Sequence, residues 1–202
     1  GEAEMCGNGA RCFGNFAAAL LHHDKSAPLP FETMAGIVTA TFEKDGNVTV
    51  NLTDPHSLQL FVLNADPAVG ADVHFLNTGV PHAVAFLDKL DGLDVPRLGA
   101  YLRYHSAFSP KGTNANFARI LSPGHIAIRT YERGVEDETL ACGTGCCATA
   151  VACVLNRLTG AHVTVQVLGG EIEIYWDQKE NLVYMTGPAV TVFEGETEEA
   201  YV

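Results

Sequence analysis

Basic residues are scarce in this chain. Twelve Lys and Arg stand against 24 Asp and Glu in 202 residues, a formal net charge of -12, and so acidic a surface repels polyanions unless a local basic patch intervenes. The sequence contains no such patch, which sets nucleic acid aside as a partner. Long apolar runs are missing too: no stretch reaches the roughly 20 residues that a membrane-spanning helix needs. The opening "GEAEMCGNGA" lacks the basic-then-apolar order of a secretory leader. No membrane association is expected, and the expected location is cytoplasmic. No GxGxxG follows a strand-like run, so a dinucleotide fold is not indicated. Six cysteines are present, but not as the paired C-x2-C knuckles of a structural zinc site. Cys146, Cys147 and Cys153 fall within one helical run and leave its axis in different directions, so no metal is expected. With 47% hydrophobic residues the chain can build a core without disulfide staples, and these three, with Cys12, read as small packing residues.

What the sequence does have is a repeated phrase. "EMCGNGARCFGNF" near the start and "LACGTGCCATAVA" further along both spell Cys-Gly-polar-Gly ahead of a helical run, giving Cys6 and Cys142 matching local settings. The first run reads as a helix to about His23, the second as a helix from about Gly145 to Leu158 that ends before Gly160. A third helix is read in "LDVPRLGAYLRYHSAF", with Asp94 near its start and Pro96 in its first turn. "GIVTATFEKDGNVTVNLTD" reads as a hairpin, "LQLFVLN" and "DVHFLNT" as short strands, and "NANFARIL" with "HIAIRTYE" as a pair turned at Ser122-Pro123-Gly124. "AHVTVQVL", "GEIEIYW", "NLVYMTG" and "AVTVFEG" read as a closing four-strand meander.

The order helix, strands, helix, strands, helix, strands indicates an α+β fold. We expect two pseudo-symmetric halves, each an antiparallel-rich sheet wrapped around a central helix, with a cleft between them. The boundaries are placed at 1–55 plus 188–202 for the N-terminal half and 56–187 for the C-terminal half. Gly1 is not preceded by Met and the chemistry begins almost at once, so the N-terminal half is expected to be incomplete.

Thiolates, not thiols, act as bases, and an ordinary cysteine is mostly protonated at neutral pH. A helix N-terminus favours the anion through its free N–H groups and positive dipole end. The glycines after each cysteine let the backbone approach a bound carboxylate, which the same N–H groups can hold. Inverting a carbon centre requires a base on one face and an acid on the other, and fixed dipoles must stabilise the carbanion between them. Two equivalent cysteine settings therefore suggest a racemase or epimerase. His22, His23, His56, His74, His105, His125 and His162 show no ligand spacing, and Glu194, Glu196, Glu198 and Glu199 read as a solvated acidic end.

The segments "MCGNGARC", "NTGVPHAV", "GTNANFA", "RTYERGVEDETLACGTG" and "VYMTGPAVTVFEG", in this order, resemble the cofactor-independent diaminopimelate epimerase family across nearly the whole chain. Proline and hydroxyproline racemases share the fold and the paired cysteines but carry His where Asn8 stands and lack "YERG"; phenazine-type isomerases of that fold lack the cysteine pair. The resemblance implies epimerisation of LL- to meso-2,6-diaminopimelate without pyridoxal phosphate or other cofactor, in lysine and peptidoglycan precursor synthesis, by a homodimer. It implies Cys6 and Cys142 as the acid/base pair. Gly7, Asn8, Gly143 and Thr144 would hold the carboxylate on the reacting carbon. Arg133 would pair with the distal carboxylate, Glu132 and Asn114 would meet the distal ammonium, and His82 and Glu132 would each support a thiol. Val80 stands where many members have Asn, a contact that Asn77 is expected to replace. The alternatives are a non-catalytic remnant and a proline-type racemase.

Overall fold

The computed structural model describes residues 5–196. Three helices, α1 (Gly7–Leu20), α2 (Val95–Arg103) and α3 (Gly143–Leu155), separate three groups of strands. The first group is β1 (Leu29–Thr33), β2 (Gly36–Phe42), β3 (Val48–Leu52), β4 (His56–Asp66), β5 (Ala71–Asn77) and β6 (Pro81–Phe86). The second is β7 (Asn114–Ser122), β8 (His125–Glu132) and β9 (Asp137–Thr139), and the third β10 (His162–Val167), β11 (Gly170–Asp177) and β12 (Leu182–Gly187). The architecture is α+β.

All the strands belong to one sheet, ordered β1-β2-β3-β12-β11-β10-β8-β7-β6-β5-β4, with β9 attached to β8. Pairing is antiparallel except for β6–β7 and β8–β10, which are parallel. Those two junctions are bridged through α2 and α3, because parallel neighbours need a crossover. The sheet curls around α3. Every position of that helix from Thr144 to Cys153 is buried, as befits a helix apolar all round, and it touches β5–β8 and β10–β12. By contrast α1 buries one stripe, Gly7, Ala10, Arg11, Gly14, Ala17 and Ala18, against β1–β3. One hydrophobic cluster joins α1, β2, β3, α3 and β10–β12; another fills the space between α2 and β5–β8. After β12 the chain lies along α1, where the carbonyl of Ala189 accepts the Asn15 amide at 2.7 Å. Of the two boundary ranges, residues 1–4 and 197–202, with Glu198 and Glu199, lie outside the described residues.

Several local expectations are corrected. Helices α1 and α3 end earlier than read, at Leu20 and Leu155, and α3 starts two residues sooner, at Gly143. "AVTVFEG" is not a strand: the free edge of β12 is taken by β3, so 189–195 has no ladder to join, and Val190, Val192 and Phe193 are exposed. β1 and β6 were not expected; each has Pro at or near its start, which weakens a strand pattern in sequence but is tolerated there. Cys12 is exposed, because it lies off the buried stripe of α1 by the 3.6-residue period.

Candidate active site

Each cysteine of the repeated phrase is the N-cap of its helix, in extended backbone conformation: Cys6 for α1 and Cys142 for α3. The first-turn N–H groups of a helix have no partner within it. In α1 the N–H of Gly9 donates to Cys6 Sγ at 3.4 Å and that of Ala10 to the Cys6 carbonyl. In α3 the N–H of Cys146 donates to the Cys142 carbonyl, while the Cys142 side chain makes no cap hydrogen bond of its own. The N–H groups of Gly7, Asn8, Gly143 and Thr144 therefore have no protein acceptor among the described residues. The two helix starts abut: a Cβ built on Gly143 would lie 3.5 Å from Gly7 Cα, and the Met185 side chain closes the space beside both glycines.

Between these ends lies a cleft of about 420 Å³ lined by Cys6, Gly7, Asn8, Asn114, Glu132, Arg133, Cys142, Gly143 and Thr144, together with Met5, Val80 and Ala141. Every expected site residue except His82 reaches this one surface. Asn77 does not replace the contact at Val80; its Oδ1 accepts the Gly79 N–H at 2.8 Å and holds its own turn.

The acidic and basic groups are held by backbone. Asn114 donates to the Pro81 carbonyl at 3.0 Å and accepts the Arg133 N–H at 2.7 Å, so it ties the end of β8 to the start of β6. The Arg133 guanidinium donates to the Lys111 carbonyl at 3.3 Å and forms no ion pair among the described residues. It is the cation at the cleft.

His82 is fully buried, behind Thr144 and not beside a thiol. Its Nε2 lies 3.0 Å from Thr144 Oγ1, which in turn lies 3.5 Å from Cys142 Sγ. Burial, with Arg133 nearby, pushes its pKa down to about 3, so it is neutral imidazole. Cys142 corrects the expectation from helix starts. Burial first and the Glu132 carboxylate second push its thiol up to about 11, against the lowering from the Thr144 hydroxyl and the nearby Gly145 N–H; desolvation outweighs both. Cys6 is exposed.

Two polar residues near the site were not singled out, Asn116 and Thr130. Both are buried and both continue an alternation: Asn114 and Asn116 on β7, Thr130 and Glu132 on β8. Polar side chains on the inward face of a strand were the available signal.

Among solved structures, a phenazine biosynthesis PhzC/PhzF protein from Clostridium difficile (strain 630) matches with a TM-score of 0.67 at 14% identity, covering 96% of this chain and 74% of the other. A probable proline racemase from Agrobacterium radiobacter K84 matches with a TM-score of 0.64 at 18% identity, covering 92% and 65%. At such identities the likeness is one of fold alone, and it sets the chain in the α+β class of these structures. The diaminopimelate epimerase family model matches residues 74–192. Diaminopimelate epimerases of Desulfovibrio desulfuricans and Aquifex aeolicus are each 42% identical, over 96% and 98% of this chain and 75% and 71% of their own lengths. The chain belongs to the diaminopimelate epimerase family, whose members are isomerases.

Proposed function

We propose that this protein interconverts LL- and meso-2,6-diaminopimelate by moving one α-proton between two sulfur atoms. The observation that carries the reading is that two N-capping cysteines and the first-turn N–H groups of Gly7, Asn8, Gly143 and Thr144 line a single cleft with a guanidinium that has no ion-pair partner among the described residues. The α-carboxylate sits on the N–H groups of Gly7, Asn8, Gly143 and Thr144, where two positive helix ends meet. As one sulfur removes the α-proton, the carboxylate takes up the developing charge, and these fixed dipoles stabilise it without reorganising. The other sulfur returns a proton to the opposite face, which inverts the centre. Buried Cys142 enters as the protonated partner, so Cys6 is the base in that direction, and the roles exchange in reverse.

The substrate is a small diamino dicarboxylic acid. Arg133 takes the distal carboxylate and Glu132 the distal ammonium, charges that proline lacks. So read, the reaction belongs to the supply of lysine and peptidoglycan precursors, and the free thiols of this chain are consistent with a reducing cytoplasm. Among the described residues no helix is long and apolar enough to cross a membrane.

The test is solvent exchange in D2O. Wild-type protein should put deuterium at the α-carbon of diaminopimelate while inverting it, and leave proline unchanged. Cys6→Ala and Cys142→Ala should each abolish inversion with the fold intact. Inversion by the doubly substituted chain would refute the reading, and wild-type binding without exchange would mark a non-catalytic remnant.

A further inference from the structure

Behind Cys142 runs a buried chain of polar groups reaching from β8 through β7 and β6 to the first turn of α3. Thr130 Oγ1 lies 3.0 Å from Asn116 Oδ1; Asn116 Nδ2 lies 3.1 Å from the Ala83 carbonyl and 3.0 Å from His82 Nδ1. His82 Nε2 continues to Thr144 Oγ1, and Thr144 Oγ1 to Cys142 Sγ. We propose that Asn116 is a positioning residue: it restricts His82 to one tautomer and thereby aims the Thr144 hydroxyl hydrogen at the Cys142 sulfur. This rests on the reading of Cys142 as an acid/base group.

The polarity of the chain follows from one group that has no choice. A carbonyl oxygen only accepts, so the end of the Asn116 amide facing Ala83 is the NH2, and the opposite orientation would set oxygen against oxygen. The same NH2 faces His82 Nδ1, which must therefore offer its lone pair. Neutral imidazole carries one proton, and it is left on Nε2, where it donates to Thr144 Oγ1. With that oxygen already accepting, its own hydrogen is free for the sulfur. The Thr144 carbonyl accepts the Thr78 hydroxyl at 2.8 Å, which fixes the turn from which the side chain projects.

Packing supports the same arrangement. Gly145 is the residue against which Asn116 Oδ1 rests, and a Cβ there would collide with that oxygen. His82 and Asn116 are fully buried and Thr130 and Thr144 nearly so, so water does not supply substitutes for these bonds. The charged and titratable neighbours are Arg133, which faces His82 and opposes a second proton on it, and Glu132, Cys6, Cys146 and Cys147, which face Cys142. A sulfur that must release its proton beside the Glu132 carboxylate gains most from a fixed donor. His82 thus acts as a donor to Thr144 and not as a base toward the thiol.

Two measurements on the whole protein test this without turnover. Long-range 1H–15N spectra of 15N-histidine-labelled protein should show His82 as the Nε2–H tautomer, unchanged from pH 5 to 8. Alkylation of Cys142 by iodoacetamide, followed by peptide-resolved mass spectrometry, should slow about tenfold at fixed pH in Asn116→Leu and in Thr144→Val. Thr144→Ser should restore the rate, and the Cys6 profile should not move. An Nδ1–H tautomer, titration of His82 in that range, or unchanged Cys142 alkylation in Thr144→Val would overturn the proposal. Should Asn116→Leu fail to fold, the tautomer and the Thr144 pair decide. If instead Cys142→Ala still inverts substrate, the acid/base reading fails while the tautomer result stands.

Discussion

Replacing Gly145 by alanine sets two effects of opposite sign against each other. Alanine is favoured over glycine within a helix by about 1 kcal/mol, so on propensity alone α3 should gain. The new Cβ, however, would collide with Asn116 Oδ1. That amide cannot retreat, because its Nδ2 is held by Ala83 and His82 and its Oδ1 by Thr130. Displacing it leaves at least two buried polar groups unpaired, at about 1–3 kcal/mol each. The expected net is a loss of about 2–4 kcal/mol, which at about 2–4 °C per kcal/mol for a chain of this size is a fall in Tm of roughly 5–15 °C. Thermal unfolding followed by circular dichroism measures it. Gly9→Ala is the control, since its Cβ would meet only Cys6 atoms at 3.5 and 3.6 Å, ordinary contact, and it should be at least as stable as wild type. If Gly145→Ala melts with Gly9→Ala, Asn116 is not locked and the packing argument is wrong.

Three further outcomes follow from the same structure. Burial pushes Cys142 up to about 11 and Cys153 to about 12, and raises Cys146 and Cys147 as well. Above the ordinary thiol range the unfolded chain loses protons that the folded one keeps, so stability should fall by about 4 kcal/mol between pH 9 and 10; a flat Tm across that interval would contradict it. His82 works on the acid side: with its pKa lowered to about 3, only the unfolded state takes up its proton as pH drops below about 6.5, at a cost near 2 kcal/mol by pH 5. His82→Gln should flatten that limb, seen in urea titrations at pH 7 and pH 5. Arg133→Ala should raise KM for diaminopimelate roughly tenfold to a hundredfold, the worth of one charge-assisted pair, and unchanged KM would remove Arg133 from the distal carboxylate.

The helices and most strands were legible because their signals are local. Asp94 does cap α2, accepting the Arg97 N–H at 3.2 Å, and the alternations in β7, β8, β10 and β11 match observed registers. The repeated cysteine phrase located both N-caps for the same reason. What failed depends on distant partners. Whether 189–195 forms a strand is decided by β3, which occupies the edge it would need. The protonation of Cys142 is decided by how deeply α3 is enclosed, which the capping phrase does not encode. His82 was expected beside a thiol, but the intervening Thr144 hydroxyl becomes visible only when β6 is set under α3.

Met185 reaches up from β12 to lie beside Gly7 and Gly143 at once. Its thioether is a common strut beneath both cysteine-capped helix starts, so neither can settle or lift without disturbing the other. Oxidation of that sulfur would swell and polarise the strut and spread the two helix starts apart together, so on the proposed mechanism damage at one buried methionine would disable the base and the acid at once.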